Sequence, residues 1–218
     1  MTASVLVWGA GGHGRVVTDL ARVSGQTVIG FIDRDRARLG SIAEAGGARI
    51  TMTEVDLEAL LAARTPLPGN AGSVLLGIGD NASRIRCVGL LGEHLLPPAL
   101  IHPRATVSNF ATLGEASVVL AGAVINTGAR IGRAVIINTG AIVEHDCVIG
   151  DGVHVSPNAT LTGGVVVDEG AWVGAGAIVL PGTRIGRRSI IGAGAVVIRD
   201  VADEVTVVGN PARDIALR

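Results

Sequence analysis

From Ile101 onward an aliphatic residue returns at every sixth position: Val107, Leu113, Val119, Ile125, Ile131, Ile137, Val143, Ile149, Val155, Leu161, Val167, Val173, Val179, Ile185, Ile191 and Val197. The run counts 17 members with no change of phase. Strands alternate with period two and helices repeat near 3.6, so neither produces it. A Gly often follows the aliphatic residue, as in Ile131-Gly132, Ile149-Gly150, Val173-Gly174, Ile185-Gly186 and Ile191-Gly192. One inward aliphatic per six residues, with corners that select Gly, Asn and Asp, predicts a parallel β-helix of triangular section. Each hexad forms one short side, three close a coil, and 17 hexads make between five and six coils. No coil buries its core alone, so stability comes from the stack.

Residues 1–97 read differently. Apolar runs at Ser4–Trp8, Thr27–Ile32 and Ser73–Ile78 predict strands, and helical patterns lie near Arg15–Val23, Asp56–Ala63 and Asn81–Leu91. Alternation of the two predicts a small α/β domain with a parallel sheet. The stretch from Glu93 to Pro98, ending in Pro97-Pro98, marks the boundary, so the expected domains are 1–97 and 98–218. The first strand runs into Gly9-Ala10-Gly11-Gly12-His13-Gly14, a G-x-G-x-x-G turn, and Asp33 follows at the end of the second strand. Such a turn can present backbone amides to a phosphate, with Asp33 placed for a ribose hydroxyl or a base edge. Fewer than 100 residues crowd a full dinucleotide fold, which leaves a mononucleotide or nucleotide-sugar, or a purely structural turn, as further readings.

Composition narrows the function classes. All 18 basic residues are Arg, which excludes Schiff-base chemistry and a P-loop lysine. A net charge of −1 without a basic run, and only four aromatic residues, argue against nucleic acid as a partner. No apolar stretch reaches the length of a membrane helix and the N-terminus has no signal-peptide pattern, so the expectation is a cytoplasmic protein without a membrane span. Cys87 and Cys147 are too few for a disulfide framework and read as small buried hydrophobes.

Two histidines lie inside the repeat, and neither takes the inward position. His145 stands in Val143-Glu144-His145-Asp146-Cys147-Val148, and His154 closes Ile149-Gly150-Asp151-Gly152-Val153-His154. An imidazole between two carboxylates is expected to have a raised pKa and a fixed tautomer, which suits a general base near neutral pH. A solvated surface pair is the plainer alternative.

Gly9–Gly14, Phe31-Ile32-Asp33, Gly77-Ile78-Gly79-Asp80-Asn81, Glu144–Gly150, His154-Val155-Ser156 and Gly209-Asn210-Pro211-Ala212-Arg213 occur together and in this order. In this the chain resembles the sugar acetyltransferases of the NeuD/PglD type within the hexapeptide-repeat superfamily. The resemblance implies a Rossmann-like first domain, a left-handed β-helix, a homotrimer and acetyl-CoA as co-substrate, with no metal. It also implies transfer of acetyl to the amine or hydroxyl of a sugar, most simply a nucleotide-linked 4-amino-sugar. His145 becomes the general base, with Asp146 raising its basicity. His154 would contact the thioester region of acetyl-CoA, and the backbone at Ala175 and Ala193 would hold the pantetheine arm. Gly11, Gly12, His13, Asp33 and Gly79 would line the nucleotide-sugar pocket, joined by Arg34, which stands where UDP-sugar members can show a second acidic residue.

Other readings remain at this stage. A sialic acid type O-acetyltransferase shares the motifs, and a non-catalytic nucleotide-sugar or acyl-CoA binding module would share the fold. A zinc enzyme of the γ-carbonic anhydrase kind needs three histidines, and His102 lies more than two coils before His145 and His154.

Overall fold

A computed structural model describes residues 4–43 and 46–215, which divide into two compact units, Met1–Leu100 and Ile101–Arg218. The first unit is a four-stranded parallel sheet in the order β3-β2-β1-β4, with β1 at Ser4–Trp8, β2 at Thr27–Asp33, β3 at Ile50–Thr53 and β4 at Ser73–Leu76. Helix α1 (Gly12–Val23) follows β1, α2 (Glu54–Ala62) joins β3 to β4, and α3 (Asn81–Leu91) follows β4. Strand β3 is absent from the sequence reading, because its four residues leave too little pattern to stand out. Helix α2 starts where Thr53 and Asp56 form a reciprocal capping box, and α3 starts where Asp80 accepts the Ser83 N–H. Val5, Val7, Phe31, Ile32 and Val74 are fully buried and fasten the helices to the sheet.

The chain moves outward from β1 to β2 to β3 and then returns to the other side of β1 to form β4. The carboxyl ends of β1 and β4 are therefore neighbours where the strand order reverses, the place where open α/β sheets bind ligands. Three glycines meet there. A Cβ on Gly14 would lie 1.8 Å from the Gly9 carbonyl oxygen, and one on Gly77 would lie 2.6 Å from the Gly14 Cα. The last glycine of the turn thus lets α1 close onto the sheet, whereas Gly11 and Gly12 face open space.

The second unit is a left-handed β-helix built from two-residue strands. The three faces are parallel ladders whose residues pair at a spacing of 18. Ile137 pairs with Val155 on the first face, Val143 with Leu161 on the second, and Ile131 with Ile149 on the third. The period-six aliphatics point inward as expected and are buried from Val119 to Val197, while Ile101 at the open end is exposed. A second inward row lies two residues before each of them: Ser117, Ala123, Ala129, Val135, Ala141, Cys147, Val153, Ala159, Val165, Ala171, Ala177, Thr183, Ser189 and Ala195. Its small side chains fill the prism between the larger ones, and Cys147 is one of them. Cys147 donates to the Thr162 carbonyl at 3.2 Å, and burial raises its thiol pKa. Burial pushes the Cys87 thiol up to about 12, so both cysteines sit in surroundings that disfavour the reactive thiolate.

Turns fall three residues after each inward aliphatic, where φ is positive in consecutive hexads from Ala116 to Gly194. Gly holds most of these positions; Asp146 holds one, at φ +61°. The register breaks once. Val201 bridges Ile185 and Val207 pairs with Ile191 at a spacing of 16, so the last coil is two residues short. The chain then closes the stack with an antiparallel pair, Val207 with Asp214 and Val208 with Arg213.

Leu161 is fully buried between Val143 and Val179 in one ladder. Leu161→Ala is expected to cost about 2–5 kcal/mol in urea denaturation, whereas Thr112→Ala on an outer position should stay within about 0.5 kcal/mol.

Candidate active site

His145 and Asp146 occupy the corner that follows Ile142–Val143 on the second face. Because Asp146 takes the left-handed turn position, its carboxylate folds back onto its neighbour, and His145 Nδ1 lies 2.9 Å from Asp146 Oδ2. The Asp carboxylate only accepts, so Nδ1 carries the proton and Nε2 keeps a lone pair. One carboxylate reaches the ring rather than two: Glu144 Oε2 instead accepts the backbone N–H of His145, at 3.4 Å. Both members of the pair are exposed, so a substrate can approach Nε2.

Gly163, on the next coil, was not singled out in the sequence. A Cβ there would lie 2.5 Å from His145 Nε2. Its spacing of 18 from His145 is the signal that finds it, since the coil length stacks one corner on the next.

The other repeat residues lie on a different edge. His154 is in the outward row of the first face, and Trp172 follows it one coil later. Their rings are parallel within 4°, with centroids 5.8 Å apart. Asn138, another residue missed in the sequence, places Nδ2 at 3.0 Å from His154 Nε2. The exposed Ala175 and Ala193 stack 18 residues apart at the corner after this face, and the Ala175 carbonyl accepts the Gly194 N–H at 2.8 Å. The structure therefore gathers His154, Ala175 and Ala193 along one edge of the prism and sets His145 with Asp146 on the next.

In the first unit, a cleft of ≈ 330 Å³ opens at the strand-order reversal. Gly11, Asp33 and Arg34 line it, together with Gly9, Arg38, Glu54, Asp80 and Arg86; Gly12, His13 and Gly79 sit in the same two turns. Gly11 caps α1 without a side-chain hydrogen bond, which leaves the helix N-terminus to an anion. Asp33 is nearly buried: Oδ2 accepts from Arg38 at 2.7 Å and Oδ1 from the Asp35 N–H at 3.0 Å. Trp8 Nε1 donates to Glu54 Oε1 at 2.9 Å and braces the floor. Arg84, fully buried, donates to the carbonyls of Ile78 and Gly79 and to Asn81 Oδ1, and so fixes the loop after β4. Burial, and then the Arg84 charge, lower the His13 pKa to about 4. Among the described residues no group of three His, Cys, Asp or Glu side chains is close enough to hold a metal ion, and no helix is long and apolar enough to cross a membrane.

Residues 4–91 match the profile of the PglD N-terminal domain, and residues 128–163 and 164–199 match that of the bacterial transferase hexapeptide repeat. Perosamine N-acetyltransferase from Caulobacter crescentus, solved with CoA and GDP-perosamine, is 37% identical, with 99% of each chain covered and a TM-score of 0.86. The chain belongs to the PglD-type sugar acetyltransferases. The acetyltransferase domain of PglB from Neisseria gonorrhoeae, solved with acetyl coenzyme A, is 36% identical over 99% of this chain and 100% of that one, at a TM-score of 0.83. WeeI from Acinetobacter baumannii is 28% identical over 98% of this chain and 100% of that one, at a TM-score of 0.84. A search of curated protein sequences finds no significant match. As a PglD-type acetyltransferase the protein is an enzyme of the hexapeptide class, with a small α/β unit ahead of its β-helix.

Two expectations follow from this geometry. Gly163→Ala should push the imidazole off Asp146 and lower turnover about 10–100-fold with the melting temperature little changed; full activity would show that His145 needs no clearance there. Above pH 6.5 His13 is neutral in both the folded and unfolded chain. Between 6.5 and about 4 only the unfolded chain takes up the proton, so acidification through this window lowers stability. The loss should reach about 3 kcal/mol below the window, and His13→Asn should remove it when urea midpoints are compared at about pH 7 and about pH 4.

Proposed function

We propose that this acetyltransferase moves the acetyl group of acetyl-CoA to the amine of a nucleotide-linked amino-sugar, with His145 as general base. The observation that carries the reading is the His145–Asp146 pair, 2.9 Å apart on an exposed corner, with Nε2 left as the acceptor. The amine nitrogen attacks the thioester carbonyl carbon while Nε2 takes an N–H proton. Collapse of the tetrahedral adduct breaks the C–S bond, and the CoA thiolate leaves and recovers the proton from His145. Asp146 holds the ring in the productive tautomer and stabilises the imidazolium formed on the way.

His154, Ala175 and Ala193 are the residues we assign to acetyl-CoA. The backbone N–H of Ala175 suits the pantetheine amides, because its carbonyl is already given to Gly194. Gly11, Gly12, His13, Asp33, Arg34 and Gly79 are assigned to the nucleotide. Free amides at the α1 N-terminus and the arginines at positions 34, 38 and 86 suit a diphosphate. A GDP-linked 4-amino-sugar is the first acceptor to try, given the GDP-perosamine bound by the Caulobacter relative. We place the reaction in the cytoplasm, where acetyl-CoA and nucleotide-sugars are made.

The same reading includes a homotrimer. The base and the acetyl-CoA residues occupy different edges of one prism, and a cyclic trimer sets an edge of one copy beside a different edge of the next. Trp172, Ile178, Leu180 and Ile190 expose apolar surface on the first and second faces, whereas Arg130 and Arg184 stand on the third. Light scattering should give about three times the 22.0 kDa chain mass.

The test is release of CoA thiol from acetyl-CoA with GDP-, UDP- and TDP-linked 4-amino-sugars, CMP-sialic acid and free sialic acid. One amino-sugar should support turnover, and His145→Ala should lower it about 10²–10⁴-fold without loss of fold. Turnover with sialic acid alone would move the assignment to O-acetylation. Acetyl-CoA binding without transfer to any acceptor would make the protein a binding module.

A further inference from the structure

His154 lies in the outward row of the first face, half-buried, with Ile136 one coil before it and Trp172 one coil after. The Trp172 ring lies parallel to the imidazole, and its Nε1–H donates to Ser156 Oγ at 2.8 Å, which fixes the indole in the stack. Asn138 Nδ2 is 3.0 Å from His154 Nε2. The backbone decides which way this amide faces, because Asn138 Oδ1 accepts the Thr139 N–H at 2.8 Å. A backbone N–H only donates, so exchanging the oxygen and nitrogen of the amide would set two donors against each other. The NH₂ group therefore faces His154, Nε2 must accept from it, and the ring proton belongs on Nδ1.

We propose that Asn138 and Trp172 are positioning residues that hold His154 as the neutral Nδ1–H imidazole, so that His145 alone moves protons in the transfer reaction. The catalytic part of this rests on the acetyl-transfer reading above, in which His154 contacts acetyl-CoA. An imidazolium at position 154 would aim Nε2–H at the Asn138 NH₂, and relief would require the amide to flip and lose the Thr139 bond. The proton path then involves one histidine. An N–H bond of the amine breaks toward His145 Nε2 as the N–C bond forms, the C–S electron pair leaves on sulfur, and the proton on His145 passes to the thiolate. His154 gains and loses no proton in any of these steps.

The experiment is ¹⁵N NMR of the histidine rings in the full-length protein without ligand, near neutral pH. Five histidines make assignment by single His→Gln variants practical. Wild type should show His154 with Nδ1 protonated and Nε2 bare. Asn138→Asp supplies an acceptor to both Thr139 N–H and the ring, so its His154 should carry a proton on Nε2. In the same variant kcat should fall on the order of 10–100-fold, as for other partners that orient a functional imidazole, with a smaller change in KM for acetyl-CoA. Trp172→Phe keeps a ring over His154 but loses the bond to Ser156; kcat should fall less than in Asn138→Asp, and the wild-type signature should remain because the Asn138 amide sets it. A wild-type His154 that is protonated on Nε2, or charged, overturns the proposal, and so does an unchanged signature in Asn138→Asp. The signature is read without acceptor or acetyl-CoA. A protein that shows it yet transfers no acetyl group therefore counts against the acetyl-transfer reading alone.

Discussion

The structure depends on one constraint, the stacking of like on like every 18 residues. Inward aliphatic side chains of one coil rest on those of the next, and the backbone N–H and C=O groups of each two-residue strand pair only with the coils above and below. A strand of two residues has no stability by itself, so the ladders exist only because the hydrophobic column holds the coils in register. That register also fixes the outer surface. His154 lies beside Trp172 and Gly163 beside His145 because each pair is one coil apart. The geometry of the candidate site is thus a by-product of core packing, and a slip of a hexad would separate every one of these partners.

The hexad also accounts for the odd chemistry of the corner at position 146. A left-handed turn is required there, and Gly meets it in most coils at no steric cost. Asp accepts the same conformation more readily than most residues, and in doing so brings a carboxylate onto the preceding histidine. The imidazole is therefore oriented by the same turn that folds the coil.

Much of this was legible in the sequence, for a physical reason. The inward aliphatics recur at a spacing that no other secondary structure produces, so the β-helix could be read from Ile101 to Val197 before any coordinate was known. The second inward row was not, because Ala, Val, Cys and Ser at those positions look like ordinary small residues until the prism shows how little space is left beside the aliphatics. The two-residue deletion in the last coil escaped because it falls after the final hexad, where Val201 and Val207 keep the packing but leave the period. Among the candidate residues, His145 and His154 stood out by residue type. Asn138 and Gly163 did not, since an amide and a glycine in a Gly-rich, Asn-containing repeat have many structural uses, and only the 18-residue stacking ties them to the histidines. The glycine turn of the first unit stands at a helix N-terminus as its pattern implied, yet nothing in the sequence announced that Arg38 would engage Asp33 or that Arg84 would be buried against the loop beside it.

The proposal to test first is that His145 on one edge acts as the base for acetyl-CoA held on another, and that neighbouring copies in a cyclic trimer bring the two edges together. Mixed oligomers test this most directly. His145→Ala removes the base and leaves the acetyl-CoA edge intact, while Ala175→Trp blocks that edge and leaves the base. Each variant by itself should be nearly inactive. Co-refolded in equal amounts, they should recover about a quarter of wild-type turnover, because one in four subunit junctions in a cyclic trimer pairs the two intact edges. Activity in the mixture no greater than the sum of the separate variants would contradict the account and place base and acetyl-CoA within a single chain.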